Sequence, residues 1–133
     1  MNPKKIVMQK PSELELKILS VLWDHGPQTV RAVLELLPDG KQRAYTTILS
    51  TMQVMEKKGF LSHSRDGASH VFQPAVQRED VMRPMMGDLM RNVFSGKPSA
   101  VLQCLLDEAS VDKSELTEIR RLIRDYAKRL DAD

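Results

Sequence analysis

Thr46, Ser50, Gln53 and Lys57 stand four, three and four residues apart, a spacing that lines all four along one side of a helix. Their chemistry is short-range hydrogen bonding. Two hydroxyls and a carboxamide each donate and accept, and the lysine adds a charge at one end. A solvated helix face ordinarily favours Glu and Lys, which form helices readily and keep the surface soluble. Thr46, Thr47 and Ser50 instead open a helix that β-branched and hydroxyl side chains do not help to form. Such a face is expected to be kept for what it touches. Short polar side chains suit approach to base edges in a duplex major groove, which is about 12 Å wide and admits one helix. The hydroxyls would read either kind of edge and Gln53 would favour adenine, while Arg43, Tyr45 and Lys57 at the two ends would meet phosphates. Two alternatives stay open: Tyr45 as the end of an apolar stripe, and Lys57-Lys58 as partners of the helix C-terminal dipole.

Other reactive side chains form no recognisable catalytic set. His25 falls at a helix end, where a dipole partner is the ordinary role. His63 and His70 can face each other across a hairpin, but two imidazoles with no carboxylate or thiolate nearby make a poor metal site. Cys104, the single cysteine, lies among Val101, Leu102, Leu105 and Leu106 and is expected to be buried and inert. No glycine-rich phosphate loop or nucleophile elbow is present. No catalytic residue, metal or cofactor is therefore assigned, and an enzyme is not expected.

The elements that would position the polar face follow from caps and periodicity. Ser12-Glu13-Leu14-Glu15 is a capping box opening a first helix, whose Leu14, Ile18, Leu19, Val21, Leu22 and Trp23 give a broad apolar face. Gly26-Pro27 ends it. Thr29 can cap a second helix carrying Val30, Val33, Leu34 and Leu37, stopped by Pro38-Asp39-Gly40. The third helix runs from about Ala44 to Lys58, with Tyr45, Ile48, Met52 and Met55 as its inward stripe. Two short extended runs follow, joined by Asp66-Gly67 as the central residues of a tight turn, with Arg65 and Ser69 near the tip placed for phosphates. An arginine beside Asp66 is also at home simply solvating that turn.

Beyond the hairpin only helices are expected. One spans Gln77 to about Asn92 and should kink or split at Pro84, and a short one covers Ser99 to Glu108. A last one is capped by Asp112, with Leu116, Ile119, Ile123, Tyr126 and Leu130 forming a two-heptad apolar seam.

Composition bounds the class. The 133 residues are 41% hydrophobic and 29% charged, which fits a folded chain. No apolar run approaches the roughly 20 residues of a membrane span, and the stretch from Met1 to Met8 is basic but has no signal-peptide core. A cytoplasmic protein without membrane partners is expected. The net charge of +2 divides unevenly: residues 1–76 hold ten Lys/Arg against seven Asp/Glu, and residues 77–133 ten against eleven. The basic excess thus falls in the half bearing the polar helix face, although a modest excess is also compatible with an ordinary surface.

Three fragments taken together resemble the penicillinase-repressor family, which includes β-lactamase, methicillin-resistance and copper-transport repressors. They are Ser12-Glu13-Leu14-Glu15-Leu16-Lys17-Ile18-Leu19-Ser20-Val21-Leu22-Trp23, then Ala44-Tyr45-Thr46-Thr47-Ile48, then Met55-Glu56-Lys57-Lys58-Gly59-Phe60-Leu61. Gly26, Thr29-Val30 and Ser114-Glu115-Leu116-Thr117-Glu118-Ile119 extend the likeness over about residues 10–128. The resemblance implies a homodimer on a palindromic operator, with C-terminal helices making the dimer contact. Some members are released when a membrane sensor-protease system triggers cleavage, commonly at an Asn-Phe bond. The corresponding Gln103-Cys104-Leu105-Leu106 has no such dipeptide, which leaves proteolytic release open. The paired Cys-x-Cys motifs of copper-responsive members are missing, so copper induction is not expected.

The expectation is a mainly α chain with a small β-hairpin wing: a winged helix-turn-helix DNA-binding domain over residues 1–75 and a helical dimerisation domain over 76–133. DNA contacts are assigned to Arg43, Tyr45, Thr46, Thr47, Ser50, Gln53, Lys57, Arg65 and Ser69. Dimer contacts are assigned to Leu102, Leu105, Leu116, Ile119, Ile123, Tyr126 and Leu130. The partners are double-stranded DNA, a second copy of the chain and, through the resemblance, a sensor-protease system. The alternative is a winged-helix module that binds protein.

Overall fold

A computed structural model of the chain describes residues 10–39 and 41–132; Gly40 and the basic stretch Met1 to Met8 lie outside the described residues. The first unit, ending at Asp88, begins with α1 (Glu13–His25). Its N-terminus is tied as the capping box requires: the Glu15 N–H donates to Ser12 Oγ at 3.2 Å, and the Ser12 N–H donates to Glu15 Oε1 at 2.8 Å. Gly26, at φ 81°, ends the helix while its N–H donates to the Leu22 carbonyl. Strand β1 (Gln28–Thr29) leads straight into α2 (Val30–Leu36). Thr29 closes the strand and also caps the helix, its Oγ1 accepting from the Ala32 N–H at 3.2 Å.

Helix α3 (Tyr45–Lys57) is followed by β2 (Leu61–Asp66) and β3 (Ser69–Pro74). The sheet has three antiparallel strands in the order β1-β3-β2, not the two expected. A two-residue strand is too short to show alternation, and Thr29 reads locally as a cap, so β1 was hidden. The hairpin register also differs from expectation. Asp66 pairs with Ser69, so Gly67 and Ala68 form the turn, and only Gly67 takes a positive φ, 63°. Asp66 belongs to the strand; the tight turn needs its left-handed residue only at the first central position, where glycine stands.

The core of this unit joins Ile18, Leu19, Val21 and Leu22 of α1, Val30 and Val33 of α2, and Ile48, Met52 and Met55 of α3 to Phe60, Leu61, Phe72 and Val81. Ile48, Met52 and Met55 are the inward stripe expected for α3. Tyr45 is not part of it: at 39% exposure the ring lies on the surface. Its phenol gives the side chain a polar end that a first-turn position can leave in water.

One acidic group is buried with the core. Glu15 is 3% exposed and accepts from Lys58 Nζ at 3.0 Å, linking the start of α1 to the end of α3. Burial pushes its carboxyl up, but the Ser12 N–H and the Lys58 ammonium outweigh that and hold it below the ordinary glutamate value. Trp23 is half-buried, and its Nε1–H donates to the Val76 carbonyl at 3.0 Å, fixing the chain that leaves β3.

Helix α4 (Arg78–Asn92) continues through Pro84 as one helix, so of the kink or split expected there the split does not occur. Proline removes one N–H and crowds one carbonyl, a local disturbance that the flanking turns span here. The second unit begins at Leu89 and contains α5 (Pro98–Glu108) and α6 (Lys113–Ala132). Asp112 caps α6 as expected, its Oδ1 accepting from the Glu115 N–H at 2.8 Å. Neither α5 nor α6 has a buried residue. Cys104 is exposed, correcting the expected burial: the apolar neighbours around it on α5 are themselves open or only half-covered within the chain. Among the described residues, no helix is long and apolar enough to cross a membrane.

Candidate nucleic-acid interface

Helix α3 buries Ile48, Met52 and Met55 on one side, which turns Thr46, Thr47, Ser50, Gln53 and Lys57 outward; all five are exposed. The hydroxyls of Ser50 and Thr51 both donate to the Thr47 carbonyl, at 3.2 and 2.8 Å. This back-bonding satisfies both donors within the helix and leaves the exposed Ser50 oxygen with a lone pair able to accept from an exocyclic amine of a base. The wing rises beside α3, with Arg65 and Ser69 exposed near its tip. Arg65 lies opposite His70 in the strand register, and its Nε–H points at His70 Nε2 across 3.4 Å.

Between α3 and the wing lies an open cleft of about 580 Å³ whose walls include Tyr45 and Gln53 on α3 and Ser69 and His70 on β3. Three of the residues read from the sequence, Tyr45, Gln53 and Ser69, thus share one concave surface. Thr46, Ser50 and Lys57 continue along the open face of the same helix.

Arg43 is placed differently. Its guanidinium grips Asp39 with two bonds of 2.9 and 2.6 Å, and its side chain is 13% exposed. Asp39 also accepts from Lys17 Nζ at 3.0 Å and from the Lys41 N–H at 3.2 Å. The Arg43 fork, ahead of Lys17, holds the Asp39 carboxyl far below the usual carboxylate range. Arg43 therefore braces the loop entering α3, its donors turned to a carboxylate and not to open solvent.

The histidines behave partly as expected. His63 and His70 stack at 4.6 Å between ring centroids, tilted by 17°. A carboxylate is nearby after all, since His63 Nδ1 lies 2.6 Å from Glu56 Oε2. Glu56 and His63 are seven residues apart on different elements, which local spacing does not reveal. Among the described residues, no group of three His, Cys, Asp or Glu side chains is arranged to hold a metal ion.

Sequence reading missed Arg31. It is exposed on α2, and its guanidinium carbon sits 5.1 Å from the centroid of the Tyr45 ring. The charge at position 31 is visible in the sequence, but the period of α2 marks only its apolar face, and the meeting with Tyr45 is tertiary.

In the second unit, Leu105, Ile123, Tyr126 and Leu130 are more than half exposed, and Leu102, Leu116 and Ile119 are half-buried. On α6 the opposite character is carried by Arg121, paired with Glu118 and, at 2.9 Å, with Asp125.

A family model described as penicillinase repressor matches residues 11–125. The chain belongs to this family. Its members are DNA-binding transcriptional regulators and not enzymes. A transcriptional regulator of Mycobacterium tuberculosis, BlaI, is 30% identical over 105 residues, covering 77% of this chain and 76% of its own. The solution structure of monomeric Bacillus licheniformis BlaI with the blaP half-operator is 26% identical, covers 55% of this chain and 89% of its own, and superposes with a TM-score of 0.47. A complex structure of hsRosR-S4 covers 97% of this chain and 99% of its own, at 14% identity and a TM-score of 0.53, a likeness of fold. The winged-helix architecture expected from the sequence is the one observed.

Proposed function

We propose that the protein is a transcriptional repressor that binds a palindromic operator as a homodimer. Residues 1–75 bind DNA and residues 76–133 pair the subunits. Helix α3 enters the major groove with Thr46, Thr47, Ser50 and Gln53 toward base edges, while Tyr45, Lys57, Arg65 and Ser69 meet the backbone. Arg43 serves this surface by fixing the loop before α3 through Asp39. The carrying observation is the outward, uncharged hydrogen-bonding face of α3 beside an exposed wing, a surface poor in carboxylates that would repel phosphate.

The uncovered seam of Leu116, Ile119, Ile123, Tyr126 and Leu130, with Leu102 and Leu105 of α5, supports pairing with a second copy. A two-fold dimer would set two copies of α3 about one helical turn, roughly 34 Å, apart on the duplex. Release would act on the C-terminal half, by a sensor-protease system or another inactivating step; Gln103 to Leu106 lie exposed on α5. Such a regulator works in the cytoplasm.

Selection of genomic DNA fragments by the purified protein tests the reading. A recovered inverted repeat, bound with an affinity that falls steeply as salt rises, is the expected result. Failure to enrich any sequence, with salt-insensitive binding to protein partners instead, would point to the interaction-module alternative.

A further inference from the structure

The cleft between α3 and the wing contains a cation, Arg31, that is ion-paired to no carboxylate among the described residues. Arg43, Lys17 and Lys58 in the same unit are each ion-paired, to Asp39, to Glu13 and Asp39, and to Glu15. Arg31 makes no ion pair among the described residues, and its contact is the face of Tyr45. That contact sets the guanidinium over the face of the ring, 5.1 Å from its centroid, while its N–H groups remain available. The surrounding wall has neither Asp nor Glu. It offers the Ser69 hydroxyl, the Gln53 amide, the His70 imidazole and the Thr29 hydroxyl, whose oxygen already accepts from the Ala32 N–H and whose proton is therefore free to donate.

We infer that Arg31, held over the Tyr45 ring, is a backbone anchor that grips one phosphodiester of the duplex as it passes from α3 to the wing. This rests on the repressor reading above. A guanidinium fork matches two phosphate oxygens, and the lining donors complete the anion's shell. The occupant is duplex DNA and not a free phosphate because the cleft is open and continuous with Gln53 and Ser69, the proposed contacts on either side. Arg31 supplies affinity without sequence preference, since every step of a duplex presents the same phosphate.

The test compares wild type, Arg31→Ala and Arg31→Lys on two labelled duplexes of about 30 base pairs, one from the genomic selection and one unrelated. Each is titrated from low to moderate KCl. Arg31→Ala is expected to weaken both duplexes by a similar factor, about five- to tenfold, and to flatten the plot of log affinity against log salt by about one unit. Arg31→Lys, which keeps the charge but loses the fork, should restore the slope and recover only part of the affinity. Thermal melting of each variant confirms that the exposed site has been changed without unfolding. If wild type binds steeply and Arg31→Ala keeps both affinity and slope, the anchor is wrong and the repressor reading survives. If Arg31→Ala weakens only the selected duplex, Arg31 reads bases and the backbone assignment is overturned. If wild type binds neither duplex, both readings fall.

Discussion

Replacing Ser50 by Glu isolates the recognition face from the fold that carries it. Ser50 is exposed, and the bond the substitution removes is an intrahelical one from its hydroxyl to the Thr47 carbonyl at 3.2 Å. Glutamate forms helices better than serine, by a few tenths of a kcal/mol. The fold should therefore keep its stability within about 0.5 kcal/mol, a change of no more than about 3 °C in Tm. The effect on binding is much larger. Losing a good base contact costs about 1–3 kcal/mol. A new carboxylate in the groove, about 8 Å from the nearest phosphates, adds roughly 0.5–2 kcal/mol of repulsion at effective dielectric constants between water and a protein surface. Together these predict an operator affinity weaker by about tenfold to several thousandfold. Fluorescence anisotropy with the selected duplex at about 0.1 M salt measures this, beside a circular-dichroism melt. A folded variant that binds within threefold of wild type would show that this side of α3 does not face DNA. Gln53→Glu should behave in the same direction.

The paired substitution Leu116→Asp with Ile123→Asp should give monomers in sedimentation and weaken operator binding at least tenfold, because charges would stand in the α6 seam; a persistent dimer would show that the subunits pair elsewhere. Trp23→Phe keeps an aromatic ring but loses the indole N–H that makes the 3.0 Å bond to the Val76 carbonyl, together with part of the indole's volume, and should cost about 1–3 kcal/mol in urea unfolding. A stability equal to wild type would mean that water takes the indole's place. Glu15→Gln should lower stability at neutral pH. The Glu15 carboxyl lies below its ordinary value in the fold, so its ionised form adds stability above that value, about pH 4.5, which is lost as pH falls through the lower folded value. The gap between wild type and Glu15→Gln should thus narrow on going from pH 7 to about pH 3.5 in urea titrations; a constant gap would remove Lys58 and Ser12 as its cause.

The helices were legible because their signals are local. Ser12 and Glu15 stand three apart and cap α1 by direct bonds, and Asp112 caps α6 in the same way. The alternation of buried and exposed positions on α3 follows from its sequence period. Features resting on distant partners were not legible. Strand β1 exists because Gln28 and Thr29 meet Phe72 and Val71, and nothing within two residues announces a partner more than forty positions away. The hairpin turn moved by one residue for a related reason. Asp66 completes the strand by pairing with Ser69, so the register of the ladder, and not the Asp-Gly dipeptide alone, chose the central pair.

The same division runs through the site, and it separates the residues by physical role. The hydrogen-bonding face of α3 was visible because poor helix formers in a helix are an anomaly that sequence displays on its own. The cations were not separable in that way, since a basic side chain is written identically whether it is neutralised or open. Arg43 precedes α3 and reads as a natural phosphate contact, yet Asp39, four residues earlier in an irregular loop, folds back to take both arms of its fork. Arg31 belongs to a helix that looks merely structural, yet the packing of α2 beside α3 lays it over Tyr45, and among the described residues it makes no ion pair. A polyanion responds to the charges left uncompensated on the folded surface and not to those counted along the chain. Backbone affinity in this protein should therefore follow Arg31, Lys57 and Arg65 more closely than Arg43 and Lys58, which Asp39 and Glu15 already neutralise.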